Sequence, residues 1–183
     1  MRAGPLSLLV LLLCLSCAQA DVAVQPGFDV EKFSGTWHVV AAVSNCSTFQ
    51  SMRGVMKTSV AKVTALPDGD MSILTGFPVS EECRTVKMHF KKTEQPGHFT
   101  SDEKGARQDL RVLATDYASF AFVYVCKEAA GERSLTVQLY ARHPGVVEAV
   151  MGDFREHFRR VGLTDDLMAV LPRSDVCLQH LSG

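Results

Sequence analysis

Between Gly35 and about Arg142 apolar and polar positions alternate in short segments rich in Val, Thr, Phe and Tyr. In an extended chain successive side chains point to opposite faces, so this alternation marks strands with one buried face. Eight such segments are predicted, over residues 36–46, 55–66, 71–77, 84–92, 98–101, 107–114, 119–127 and 135–142. Turn chemistry separates several of them: Leu66-Pro67-Asp68-Gly69, Gln95-Pro96-Gly97 and Ala130-Gly131-Glu132. Strands at this spacing form a meander that must either close or cover its edges.

After Pro144 the period changes. Val147, Val150, Met151, Phe154, Phe158 and Val161 fall on one helical face, and Gly162 is placed to end that helix. Thr164, followed by Asp165 and Asp166, is predicted to cap a further short helical turn. The apolar stripe is the ordinary requirement for packing a helix on a sheet. The predicted fold class is therefore all-β: an eight-stranded antiparallel up-and-down barrel with a C-terminal flanking α-helix. A barrel of eight strands leaves room inside for about one small ligand.

The first twenty residues, MRAGPLSLLVLLLCLSCAQA, have the layout of a secretory signal peptide, with a basic start, an apolar run and an Ala-Gln-Ala end. The apolar run is shorter than the roughly 20 residues needed to span a bilayer. Residues 21–183 are then expected to form one secreted, extracellular domain, with no membrane span. The formal charge is −1 for the whole chain, with 19 basic and 20 acidic residues, and gives no footprint for nucleic acid or an anionic membrane. Outside the leader stand Cys46, Cys83, Cys126 and Cys177. An oxidising compartment permits three pairings of these four, and spacing alone does not choose among them. None of the four lies in a CxxC arrangement, so neither a metal site nor a cofactor is expected.

Three short motifs occur in order: Gly35-Thr36-Trp37 on the first strand, Thr115-Asp116-Tyr117 between the sixth and seventh, and Leu139-Tyr140-Ala141-Arg142 ending the eighth. In this order and context the chain resembles the lipocalins over essentially its whole length after the leader. The phrases VQPGFDVEKFSGTW, ATDYASFAFVY, VQLYAR and LPRSDVC resemble most the group of lipocalin-type prostaglandin D synthase, lipocalin-15 and the avian chondrogenesis-associated lipocalins. The resemblance implies that Trp37 plugs the closed end of the barrel with Arg142 across its ring. It further implies that Gly35 permits a close backbone approach there and that Asp116 organises the turn. It also implies a disulfide between Cys83 and Cys177. Cys46 and Cys126 are left either bridged or as thiols.

With Trp37 facing inward, alternation places Val39, Ala41 and Val43 on the wall of the barrel. Family register adds Val86, Met88 and Phe90 of the fourth strand, Gln108, Leu110 and Val112 of the sixth, and Ala121, Val123, Val125 and Lys127 of the seventh. Thr136, Gln138 and Tyr140 come from the eighth. Such a lining, mostly apolar and partly small, suits a small hydrophobic ligand such as a fatty acid. Lys127, with Gln108, Thr136 or Gln138, is a candidate to meet a carboxylate or phosphate at the mouth, or it snorkels to solvent.

Two other activities in the family fit less well. The prostaglandin synthase resemblance implies a nucleophilic cysteine on the second strand, but the matching position is Lys57 or Ser59, and no cysteine lies between Cys46 and Cys83. Siderophore capture implies three cations in the cavity, where only Lys127 is found. The expectation is a non-enzymatic carrier, with a module that recognises a cell-surface receptor through its loops as the alternative, and a monomer in either case. Asn45-Cys46-Ser47 is a candidate glycosylation site at Asn45. His38 is expected on the outer face of the first strand, and residues 52–56 in a loop or lid over the mouth.

Overall fold

In the computed structural model, which describes residues 22–181, each of the eight extended segments forms a strand. A short helix α1 (Val30–Phe33) leads into β1 (Gly35–Ser44), and α2 (Ser47–Met52) follows it. The meander continues through β2 (Ser59–Ala65), β3 (Met71–Val79), β4 (Glu82–Lys92), β5 (His98–Glu103), β6 (Ala106–Thr115), β7 (Phe120–Ala129) and β8 (Glu132–Ala141). Helix α3 (Val147–Arg160), a short strand β9 (Met168–Val170) and α4 (Leu178–Leu181) complete the described chain. Each strand pairs antiparallel with the next, and β1 pairs with both β8 and β2, which closes the barrel and removes its edges. The leader assigned to residues 1–20 lies outside the described residues.

Most strand ends differ from the sequence reading, by one to four residues, and two of these differences have a local cause. The second strand starts at Ser59, four residues late, because α2 and the turn after it take up the segment in between. The first strand ends at Ser44, where Asn45 turns its side-chain oxygen onto the Leu135 amide (2.8 Å) and the chain enters α2.

The closed wall separates two apolar cores. Inside lie Phe33, Trp37, Val39, Ala61, Val63, Met71, Phe90, Phe99, Leu110, Val112, Val123 and Tyr140. Outside, α3 covers β7, β8 and the upper half of β1: Phe154 and Phe158 are buried against Phe122, with ring centroids of Phe122 and Phe154 5.5 Å apart. The helix ends as its sequence predicts. Gly162 takes a φ of 88°, its amide meets the Arg159 carbonyl at 3.0 Å, and the Leu163 amide meets that of Phe158 at 3.1 Å. Thr164 stands before the 3₁₀ turn Asp165–Leu167, but its hydroxyl does not cap it. The Asp165 carboxylate is held by Arg159 at 2.9 Å instead.

The C-terminal segment straps the barrel from outside. Cys83 and Cys177 form a disulfide that joins β4 to this segment, and Leu181 and Val60 pack beside it. The strap fits because position 76 lacks a side chain: a Cβ on Gly76 would lie 2.7 Å from Leu181 and 3.0 Å from the Cys83 sulfur. Closing a loop of 94 residues stabilises by about 4 kcal/mol in the chain-entropy model. Cys46 carries a free thiol, so the second bridge, to Cys126, is not made. Asn45 bonds to Leu135 of β8, and Leu135 in turn pairs with Cys126 of β7, so β8 stands between the two cysteines.

Candidate ligand-binding site

At the closed end Trp37 is fully buried, and its indole nitrogen donates to the Phe33 carbonyl at 2.8 Å. The Arg142 guanidinium lies 3.6 Å above the ring centre. From there it donates to the main-chain carbonyls of Thr36 (2.9 Å), Ser34 (2.8 Å) and Tyr117 (3.1 Å), and at longer range to those of Lys32 (3.3 Å) and Phe33 (3.4 Å). Gly35, at φ 106°, leaves the space this needs, because a Cβ there would sit 3.0 Å from the guanidinium. Asp116 accepts the amides of Ser119 (2.8 Å) and Phe120 (2.9 Å), and Thr115 bonds the Tyr117 amide at 2.9 Å, holding Tyr117 at φ 63°. Burial alone would raise the Asp116 pKa. The bonds from the Ser119 hydroxyl and the backbone amides outweigh it and hold the carboxyl below its ordinary value.

The floor is broader than one tryptophan. Phe28 and Phe33 enter from α1 and the residues before it, with centroids 5.4 Å apart, and Phe33 lies 5.4 Å from Trp37. Gln25 pins this lead-in by bonding both the Val112 carbonyl (2.8 Å) and the Thr115 amide (2.9 Å). The sequence reading missed Phe28 and Phe33, although Asp29 before an apolar turn is a helix-cap signal, and its side chain does cap α1 at the Glu31 amide (2.9 Å).

Above the floor an apolar cavity of about 270 Å³ opens. Of the residues named from sequence, Val86, Met88, Phe90, Gln108, Leu110, Val125, Gln138 and Tyr140 line it. Val39, Val112 and Val123 sit in the same inner core beneath. Ile73, Thr75 and Phe77 of β3 complete the wall. The β3 residues were missed, although Met71, Ile73, Thr75, Phe77 and Val79 follow a plain alternation. Burial drives the Tyr140 phenol far up from its usual pKa, so it is neutral. The lining holds no charged side chain, and its polar groups are the two glutamines, a threonine and this phenol.

Ala41 and Val43 do not belong to the wall. The pairing of β1 with β8 slips between Val39 (opposite Tyr140) and Ala41 (opposite Leu139), leaving Val40 as an extra residue. Beyond this bulge the alternation inverts: Ala41 and Val43 join the outer core beneath α3, while Ala42 faces inward opposite Gln138. Lys127, paired with Gln108 and Ser134 near the end of β7, is exposed and stands outside the cavity lining.

The wall has one loosely zipped seam. β4 and β5 pair only at Lys91–Thr100 and Lys92–Phe99, and the Ser101 hydroxyl beside the seam is buried without a hydrogen bond. A polar cleft of about 670 Å³ runs along it between His89 and His98, each held by a carboxylate, Asp70 at 2.7 Å and Asp109 at 2.6 Å. Among the described residues no group of three or more His, Cys, Asp or Glu side chains is placed to hold a metal ion.

The model of the lipocalin / cytosolic fatty-acid binding protein family matches residues 34–175. The chain belongs to this family. Human lipocalin-15 is 36% identical over 172 residues, 94% of this chain and 93% of that protein. The extracellular fatty acid-binding protein of Coturnix japonica is 33% identical over 177 residues, 97% of each. The prostaglandin-H2 D-isomerase of Felis catus is 28% identical over 166 residues, 89% of this chain and 87% of the isomerase. A solved structure of the siderocalin Ex-FABP, described as acting through dual ligand specificities, superposes with a TM-score of 0.71 at 30% identity, covering 78% of this chain and 95% of that one. The lipocalin barrel, its helix and the Cys83–Cys177 bridge are thus those the motifs implied. No described helix is long and apolar enough to cross a membrane.

Proposed function

We propose that this lipocalin is secreted through the leader at residues 1–20 and carries a small hydrophobic ligand of the fatty-acid class in its cavity, as a monomer and without catalysing a reaction. The observation that carries this reading is the neutral, largely apolar lining above the Trp37 floor. Burial of an acyl chain there is worth about 25 cal/mol per Å² of apolar surface. Gln108 and Gln138 offer amide groups to an uncharged or hydrogen-bonding head, while a fixed cation is missing from the lining. That arrangement favours recognition by shape and burial over recognition by charge.

The same lining speaks against the isomerase reading. Ser59 heads β2 in the alternation of the buried Ala61 and Val63, yet the cavity wall offers neither a cysteine nor a histidine to activate a nucleophile. Three cations for an anionic iron complex are missing as well. Titration with a fluorescent fatty acid, with and without Val125→Phe, tests the carrier. The larger ring fills the cavity, so affinity should fall at least tenfold while the unfolding midpoint moves little. An intact protein that binds no member of a lipid panel would refute the carrier and leave receptor recognition through the loops as the reading.

A further inference from the structure

A second cavity, of about 320 Å³, lies on the outer surface between the lower half of β1, the start of α3 and the C-terminal strap. Its apolar walls include Val40, Val147, Leu171 and Leu178. The strap that roofs it is pinned, because the Leu171 amide bonds the Val40 carbonyl and the Thr58 amide bonds that of Pro172, both at 2.9 Å. The barrel wall, with the buried Trp37 and Val39 on its inner side, separates this cavity from the inner one.

The rim is cationic. His38 projects from β1, half-buried, with His143 and Arg173 beside it. Neither imidazole makes a hydrogen bond among the described residues, and Arg173 is tied to Asp175 through its Nε at 3.0 Å. Arg142 contributes to the same wall, with its guanidinium engaged at the barrel floor. One guanidinium, that of Arg173, and two imidazoles therefore face one carboxylate, Asp175. Burial first, then the charges of Arg173 and His143, hold the His38 pKa below its ordinary value, with Asp175 opposing them. An anion in the cavity would relieve that unfavourable protonation.

We infer that this outer cavity is a second binding site, for a small organic anion whose apolar body lies against Val40, Val147 and Leu171 and whose charged end meets His38, His143 and Arg173. Binding is strengthened by acid, since the His38 imidazole gains a proton that the anion stabilises. A rise of one unit in a histidine pKa on binding corresponds to about tenfold tighter binding below the titration than above it.

Naphthalene-2-sulfonate, whose charge does not change between pH 5 and 8, is a suitable probe. It is titrated into the intact protein while the His38 and His143 ring signals are followed by NMR. The expected result is saturable movement of both rings, about tenfold tighter at pH 5 than at pH 8, and clearly weakened in Arg173→Gln and in His38→Gln. Val125→Phe, which obstructs the inner cavity, should leave it unchanged. Binding abolished by Val125→Phe would place the probe inside the barrel and overturn the proposal. So would binding independent of pH, or inorganic sulfate binding equally well, which would leave the apolar walls unused. Because the readout is the outer histidines, failure here is distinguishable from failure of the fatty-acid reading.

Discussion

Arg142 serves two partners that no short motif displays together. Its face lies on Trp37 while its edge satisfies carbonyls of Ser34 and Thr36 at the α1–β1 junction and of Tyr117 in the β6–β7 turn, two segments that meet at the floor. A cation over an indole contributes roughly 0.5–2 kcal/mol, and a charged hydrogen bond about 1.5–3. Arg142→Gln should therefore cost about 2–4 kcal/mol in urea unfolding. Trp37, the one tryptophan in the chain, reports it directly, and its emission should shift to the red as water reaches the floor. A loss under about 0.5 kcal/mol would mean that the carbonyls find water at no cost. Trp37 and Arg142 were legible because residue type and family spacing identify both. Phe28 and Phe33 were not, because nothing in a lead-in segment announces that it folds back under a barrel.

At the scale of the element, period-two alternation recovered the eight barrel strands, missed the short β9, and mis-aimed the upper half of β1. A single inserted residue exchanges the faces of everything beyond it, and the sequence around Val40 is apolar on both sides, so the bulge leaves no trace there. Both faces are buried for a reason, the inner one by the barrel and the outer one by α3. Two neighbouring substitutions separate the two faces. Ala41→Leu adds bulk to the outer core and should cost about 1–3 kcal/mol of stability with ligand affinity unchanged. Ala42→Leu projects beside Gln138 and should weaken a bound fatty acid instead. Equal effects of the two on affinity would contradict the register. The helix shows the converse case: its stripe and Gly162 were plain because a 3.6-residue period tolerates no such slip without a visible break.

For the molecule as a whole the strap sets how the two cavities depend on one another. The inner cavity is walled by β3, β4, β6, β7 and β8, none of which is contributed by the tail, whereas the outer one has the tail as its roof. Which cysteines close this strap could not be read from their spacing and came only from the family. Cys46 is a free thiol, with β8 standing between it and Cys126. Replacing both Cys83 and Cys177 with alanine restores about 4 kcal/mol of chain entropy to the unfolded state, so the urea midpoint should fall by that amount divided by the unchanged slope. If the strap also loosens locally, amides of Leu171 and Ser174 will exchange faster than those of β6 and β7, because their bonds reach only to Val40 and Thr58. Under those conditions the outer site should lose its sulfonate probe while the barrel keeps its fatty acid. Loss of both ligands in parallel would show instead that the bridge stabilises the barrel as one cooperative unit, with no separate freedom for the tail.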